Sequence, residues 1–239
     1  MVRRLGSISG KIHLPLAAKS AAYALAWFYL PFWAFLILAL YFYFVPLFHP
    51  GRTALPFAIL LFFAAVEAAN IWLAILFAAI FYLIIGVKDL VLIKREEASE
   101  VLSLTLIFLL AIKFFSSVDR WDDARAIFYS LILSAVFFFL AKSFVIGGKF
   151  SGAGEQNFRE RSIALAALSF YISQILLVLT FLPLNFLYQS AIFIVAAAIS
   201  LELVYDHFSL RLDRRRLLLQ FSIFFVFMAV ILGSAQWTL

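Results

Sequence analysis

Cysteine does not occur anywhere in the 239 residues. That excludes disulfides, thiolate nucleophiles and cysteine-based metal sites. Charge is scarce too: Asp, Glu, Lys and Arg make up 13% of the chain, where a soluble domain carries about a quarter. No part of the chain has the charge density of a water-exposed domain. The histidines number three, His13, His49 and His207, and the first two are expected on opposite sides of a membrane. With no HExxH motif and no Asp-rich repeat, no metal and no cofactor is expected. The run Gly147-Gly-Lys-Phe-Ser lacks the GxxxxGK[ST] spacing of a phosphate loop and follows an apolar run, so it reads as a linker.

What the chain does have is apolar bulk. Hydrophobic residues reach 66%, thirty of them Phe, and mean hydropathy is +1.08. They come in long runs separated by short charged clusters, the pattern of a helical membrane protein. A β-barrel would alternate apolar and polar positions, and Leu104 to Ile112 and Ile223 to Leu232 do not. The predicted fold is all-α: a polytopic helical transmembrane bundle forming a single domain over 1–239. The net charge of +6 lies in the gaps between runs, as positive-inside bias requires. The lipid bilayer is therefore the expected partner, and nucleic acid is not.

Residues 1–20 carry Arg3, Arg4, Lys11 and Lys19 and no acid, which places them in the cytoplasm. Gly6, Ser7, Ser9, Gly10, Lys11 and His13 interrupt the place of a signal-peptide core. The first apolar run is thus expected to act as an uncleaved anchor. Spans are expected over 21–45, with Pro31 as a kink, and over 67–87, 101–118, 124–146, 163–182, 187–205 and 217–232. That makes about seven, with the N-terminus inside, the C-terminus outside, and the cytoplasmic (inner) membrane as the location.

Residues 54–87 set the sidedness of everything after them. They are too long for one upright span and too short for two ordinary spans with a loop. A single crossing puts the N-terminus and the cation-bearing loops around 88–97, 142–161 and 206–216 on one side. A double crossing, counted after one span at 21–45, would scramble that separation. The charge count therefore favours one crossing, with 54–66 a re-entrant or interfacial segment.

Three clusters invite function. Glu67 and Asn70 interrupt the apolar run, and such groups usually face a bundle interior or a cavity. Read as helix, Glu67 and Asn70 share a face, and the Ala64/Ala68 and Ala65/Ala69 pairs allow close helix approach. The plainer reading of Glu67, a carboxylate at the outer interface, is preferred. Glu202, Asp206 and His207 lie beside Arg211, Arg214, Arg215 and Arg216. The acids and imidazole suggest catalysis or a divalent metal, and the arginines suggest phosphate or anionic-lipid contact. A salt-bridged helix end explains the same residues more simply. Gln174, mid-span, reads as interhelical glue.

Three functions follow in order of preference: a non-enzymatic accessory or assembly subunit binding other membrane proteins, a small transporter or channel using Glu67 and Asn70, and a lipid-modifying enzyme using Glu202, Asp206 and His207.

Overall fold

The computed structural model describes residues 13–45, 50–89, 95–118, 123–147, 155–208 and 213–234. Among these residues there are nine helices and no strand: α1 Leu14–Tyr29, α2 Phe32–Phe44, α3 Pro50–Val66, α4 Ile71–Lys88, α5 Arg95–Val118, α6 Asp123–Gly147, α7 Glu155–Thr180, α8 Phe186–Phe208 and α9 Arg214–Ser234. Six described stretches are long and apolar enough to cross a membrane, within α4 to α9; α2 and the Thr53–Val66 part of α3 are shorter apolar helices. The chain is an all-helical polytopic membrane protein. It divides into two compact units, Met1–Leu102 and Ser103–Leu239.

The first unit departs from expectation at Pro31. The run 21–45 is two helices, and α1 begins at Leu14, inside the stretch assigned to a basic tail. Proline disfavours the α conformation in the residue before it. Leu30 and Pro31 are accordingly both extended, with ψ of 151° and 148°. Two extended residues reverse the chain where a proline kink would only bend it. Tyr23 then meets Phe35 edge-on at 5.1 Å, and the Lys19 ammonium reaches the Val45 carbonyl at 3.2 Å.

The run 54–87 also folds back. Helix α3 stops at Val66, residues 67–70 are non-helical, and α4 starts at Ile71. The two helices have 17 and 18 residues, about 26 and 27 Å at 1.5 Å per residue. Residues 54–66, expected as a re-entrant or interfacial segment, lie within the 17-residue α3, one residue shorter than the α4 that follows it.

Aromatic packing joins these hairpins. Tyr23 stacks on Phe81 at 4.1 Å and Trp27 packs on Phe77 at 4.8 Å, so α1 and α4 run antiparallel. Tyr43 stacks flat on Phe57 at 4.1 Å and its hydroxyl bonds that of Thr53 at 3.1 Å, which ties α2 to α3. Tyr23, Phe35, Tyr43, Phe77 and Phe81 are fully buried. Each buries of order 150–250 Å², so this core rests on rings.

In the second unit α7 and α8 run antiparallel, as do α8 and α9. The Ser134 hydroxyl donates to the Ser169 carbonyl between α6 and α7. Arg161 lies 5.7 Å from the Phe208 ring between α7 and α8, and Phe115 meets Phe193 at 6.4 Å between α5 and α8. Helix α9 packs on α8 and has one buried residue, Gln220.

Candidate functional site

The first unit is closed at both ends by side chains that satisfy helix termini. The last four carbonyls of any helix lack an intrahelical donor, and in lipid they find no water. Here the donors come from neighbouring helices. The ammonium groups of Lys19 in α1 and Lys88 in α4 both donate to the end of α2, at Val45 and Tyr43. Positive charge at that terminus also opposes the helix dipole. Lys88 is fully buried, lies 5.2 Å from the Tyr43 ring and pairs with Asp89 at 3.3 Å. At the opposite end the Trp27 indole N–H donates to Ala64, two residues before α3 stops, at 2.8 Å.

The same device recurs in the second unit. The buried Gln189 amide donates to Leu179 at 2.9 Å and to Leu182 at 3.1 Å, closing the end of α7. The Tyr188 hydroxyl donates to Ser234 at 3.0 Å, at the last residue of α9.

Beside the Trp27 contact lies an open cleft of about 190 Å³. It is lined by Trp27, Leu30, Phe32, Phe35, Ala64, Ala65, Glu67 and Ala69. The turn after α3 places half-buried Glu67 at this cleft. Three aromatic side chains and one carboxylate thus meet where α1 ends, α2 begins and α3 ends. No Lys or Arg is among the lining residues.

Asn70 has a different task. Its side chain accepts from the Trp72 backbone N–H at 3.0 Å and caps α4. The shared helical face expected for Glu67 and Asn70 does not form, because residues 67–70 are not helical. For the same reason Ala64/Ala68 and Ala65/Ala69 make no small-residue helix face. Ala64 is buried, Ala65 and Ala69 line the cleft, and Ala68 lies in the exposed turn.

The second cluster is separated by the helix it sits on. Asp206 is buried and accepts from Arg216 and from the Gln220 amide, both at 3.4 Å across to α9. Glu202 and His207 are exposed, with the His207 ring against Phe208. Among the described residues no three His, Cys, Asp or Glu side chains are grouped closely enough to hold a metal. Arg214 and Arg215 are exposed, and Arg211 lies outside the described residues. His49 and the Gly148–Gly154 part of the glycine-rich linker lie outside them as well.

Gln174 is exposed, whereas its neighbour Ser173 is buried and bonds back to Phe170 at 2.7 Å. The interhelical role expected of Gln174 belongs instead to Gln189 and Gln220. One rule, a polar amide within an apolar run, marks all three, and only packing separates them. Lys19, Lys88 and Trp27 carried no sequence signal beyond interfacial position.

No protein-family model, curated protein or solved structure matches the chain.

Proposed function

We propose that the chain is a non-enzymatic accessory or assembly subunit that binds other integral membrane proteins, and that α9 is the binding helix. The observation that carries this reading is the two-faced character of α9. At 100° per residue, Leu217, Gln220, Phe224, Met228 and Ile231 share one face, and all are buried or half-buried. Ser222, Val226, Ala229 and Gly233 fall about 180° away, and all are exposed. A side chain built at Gly233 would meet nothing within 4 Å. Lipid-facing surface has no need of small residues, whereas a close-packed partner helix does. The polar contacts of Asp206 with Arg216 and Gln220, and of Tyr188 with Ser234, hold the inner face at both ends.

A photo-crosslinker on Ala229→Cys, the single thiol of such a variant, tests this in native membranes. The expected result is a discrete adduct with another membrane protein, absent from the same label at Phe224→Cys and lost on Gly233→Leu. Labelling of lipid alone overturns the reading, and an adduct of twice the chain's mass replaces the partner with a second copy. The charge pattern supports the cytoplasmic (inner) membrane, with the N-terminus inside.

The cleft supports a second reading, a small transporter with Glu67 at its binding site. Glu67→Gln should then abolish flux in proteoliposomes, and undiminished flux overturns it.

A further inference from the structure

We infer that the first unit is built for a thin bilayer, and that its lipid-facing surface selects phospholipids with short acyl chains. The inference depends on neither reading of function above.

Length comes first. The hydrocarbon core of an ordinary bilayer is about 30 Å thick, and a helix needs roughly 20 apolar residues to cross it. Helix α2 has 13 residues, and the apolar part of α3 is Thr53–Val66. At 1.5 Å per residue these run about 20 and 21 Å. The candidate spans from α5 onward have 19 to 23 residues, about 29 to 35 Å. The early helices fall short and the later ones do not.

Polar contacts mark both ends of the short helices. At one end Lys19 and Lys88 donate to the Val45 and Tyr43 carbonyls, and the Tyr43 and Thr53 hydroxyls bond each other. At the other end Leu30 and Pro31 are extended, and residues 67–70 are non-helical. The exposed aromatics repeat the spacing. Trp33 and Tyr41 lie about 12 Å apart along the axis of α2, and both are exposed, as interfacial belt residues are.

A span shorter than the hydrocarbon is accommodated by thinning the bilayer, by snorkelling of flanking side chains or by oligomerising. Tilt lowers the height of a helix and so widens the gap. Snorkelling is blocked at the lysines: Lys88 is fully buried, and the Lys19 ammonium is held on the end of α2. Close helix association uses small residues, whereas the exposed surface here carries Trp33, Ile37 and Tyr41 on α2 and Phe62 on α3. Large projecting side chains suit acyl chains better than a partner helix. Thinning remains. The same preference sorts a protein among membranes of different thickness.

The test uses the intrinsic tryptophans. In the double variant Trp121→Phe with Trp237→Phe the remaining ones, Trp27, Trp33 and Trp72, all belong to the first unit. Trp33 and Trp72 are each 75% exposed and so report lipid contact. The full chain is reconstituted in dimyristoleoyl, dioleoyl or dierucoyl phosphatidylcholine, each mixed with increasing brominated dioleoyl lipid, which quenches Trp on contact. The binding constant relative to dioleoyl lipid should rise several-fold from dierucoyl to dimyristoleoyl. The unsubstituted chain should give the same order with a smaller amplitude, which keeps the result independent of the double variant. Equal constants across the series, or an optimum at dioleoyl or dierucoyl, overturn the inference. Chemical crosslinking in the same vesicles separates the remaining route. Oligomers that form in dierucoyl bilayers while the constants stay flat show that association takes up the mismatch, and they overturn it as well.

Discussion

The indole N–H of Trp27 donates to the carbonyl of Ala64 at 2.8 Å, across 37 residues of chain. The bond joins the first helical hairpin to the second. It also removes an orphan acceptor from the end of α3 and sets the wall of the Glu67 cleft. Leaving a buried acceptor unsatisfied costs about 1–3 kcal/mol. Trp27→Phe keeps one aromatic ring but loses the donor and part of the buried indole, so it should lower stability by at least that amount, measured by unfolding in mixed micelles. An unchanged unfolding midpoint would show that the carbonyl finds another donor.

Tyr23 presents the reverse situation. Its hydroxyl is buried with no hydrogen-bond partner among the described residues, while its ring lies between Phe35 and Phe81. The ring contributes packing and the oxygen contributes a desolvation cost. Tyr23→Phe should be neutral or stabilising by up to about 2 kcal/mol, whereas Tyr23→Ala should cost about 3–5 kcal/mol. A clear loss of stability in Tyr23→Phe would mean that the hydroxyl is satisfied in the membrane.

Lys88 joins the end of α4 to the end of α2. Removing one member of a buried charge pair costs about 3–5 kcal/mol because the other is left uncompensated. Lys88→Met strands Asp89 and the Tyr43 carbonyl together, and a cost in that range is expected. The double variant Lys88→Met with Asp89→Asn removes the stranded charge and should recover part of it. A double variant as unstable as the single one would show that the carbonyl contact, not the pair, carries the effect.

Sidedness gives the sharpest contrast between one crossing and two. Non-helical backbone exposed to lipid is not tolerated at hydrocarbon depth, and residues 67–70 are non-helical and largely exposed. That turn is therefore expected at one interface, and Lys19 and Lys88 at the other. Single cysteines at His13 and Val45 should react with an impermeant thiol reagent from one side, and a cysteine at Ala69 from the other. Under a single span over 21–45, His13 and Val45 would react from opposite sides.

The sequence alone determined the class of this protein. Composition and run length are local properties, and a bilayer responds to them before any packing occurs. It also puts Lys88 at the same end as Lys19. The runs 21–45 and 54–87, each expected to cross once, are each a pair of helices, and both lysines meet the end of α2. Glu67 was recognisable as a carboxylate within an apolar run, but the cleft around it was not. Whether Leu30–Pro31 bends a helix or reverses it depends on whether α1 finds α4 and α2 to pack against. Whether residues 67–70 stay helical depends on donors such as Trp27 from elsewhere in the chain. Those contacts join residues dozens of positions apart, so only the tertiary structure decided where the cleft lies and what lines it.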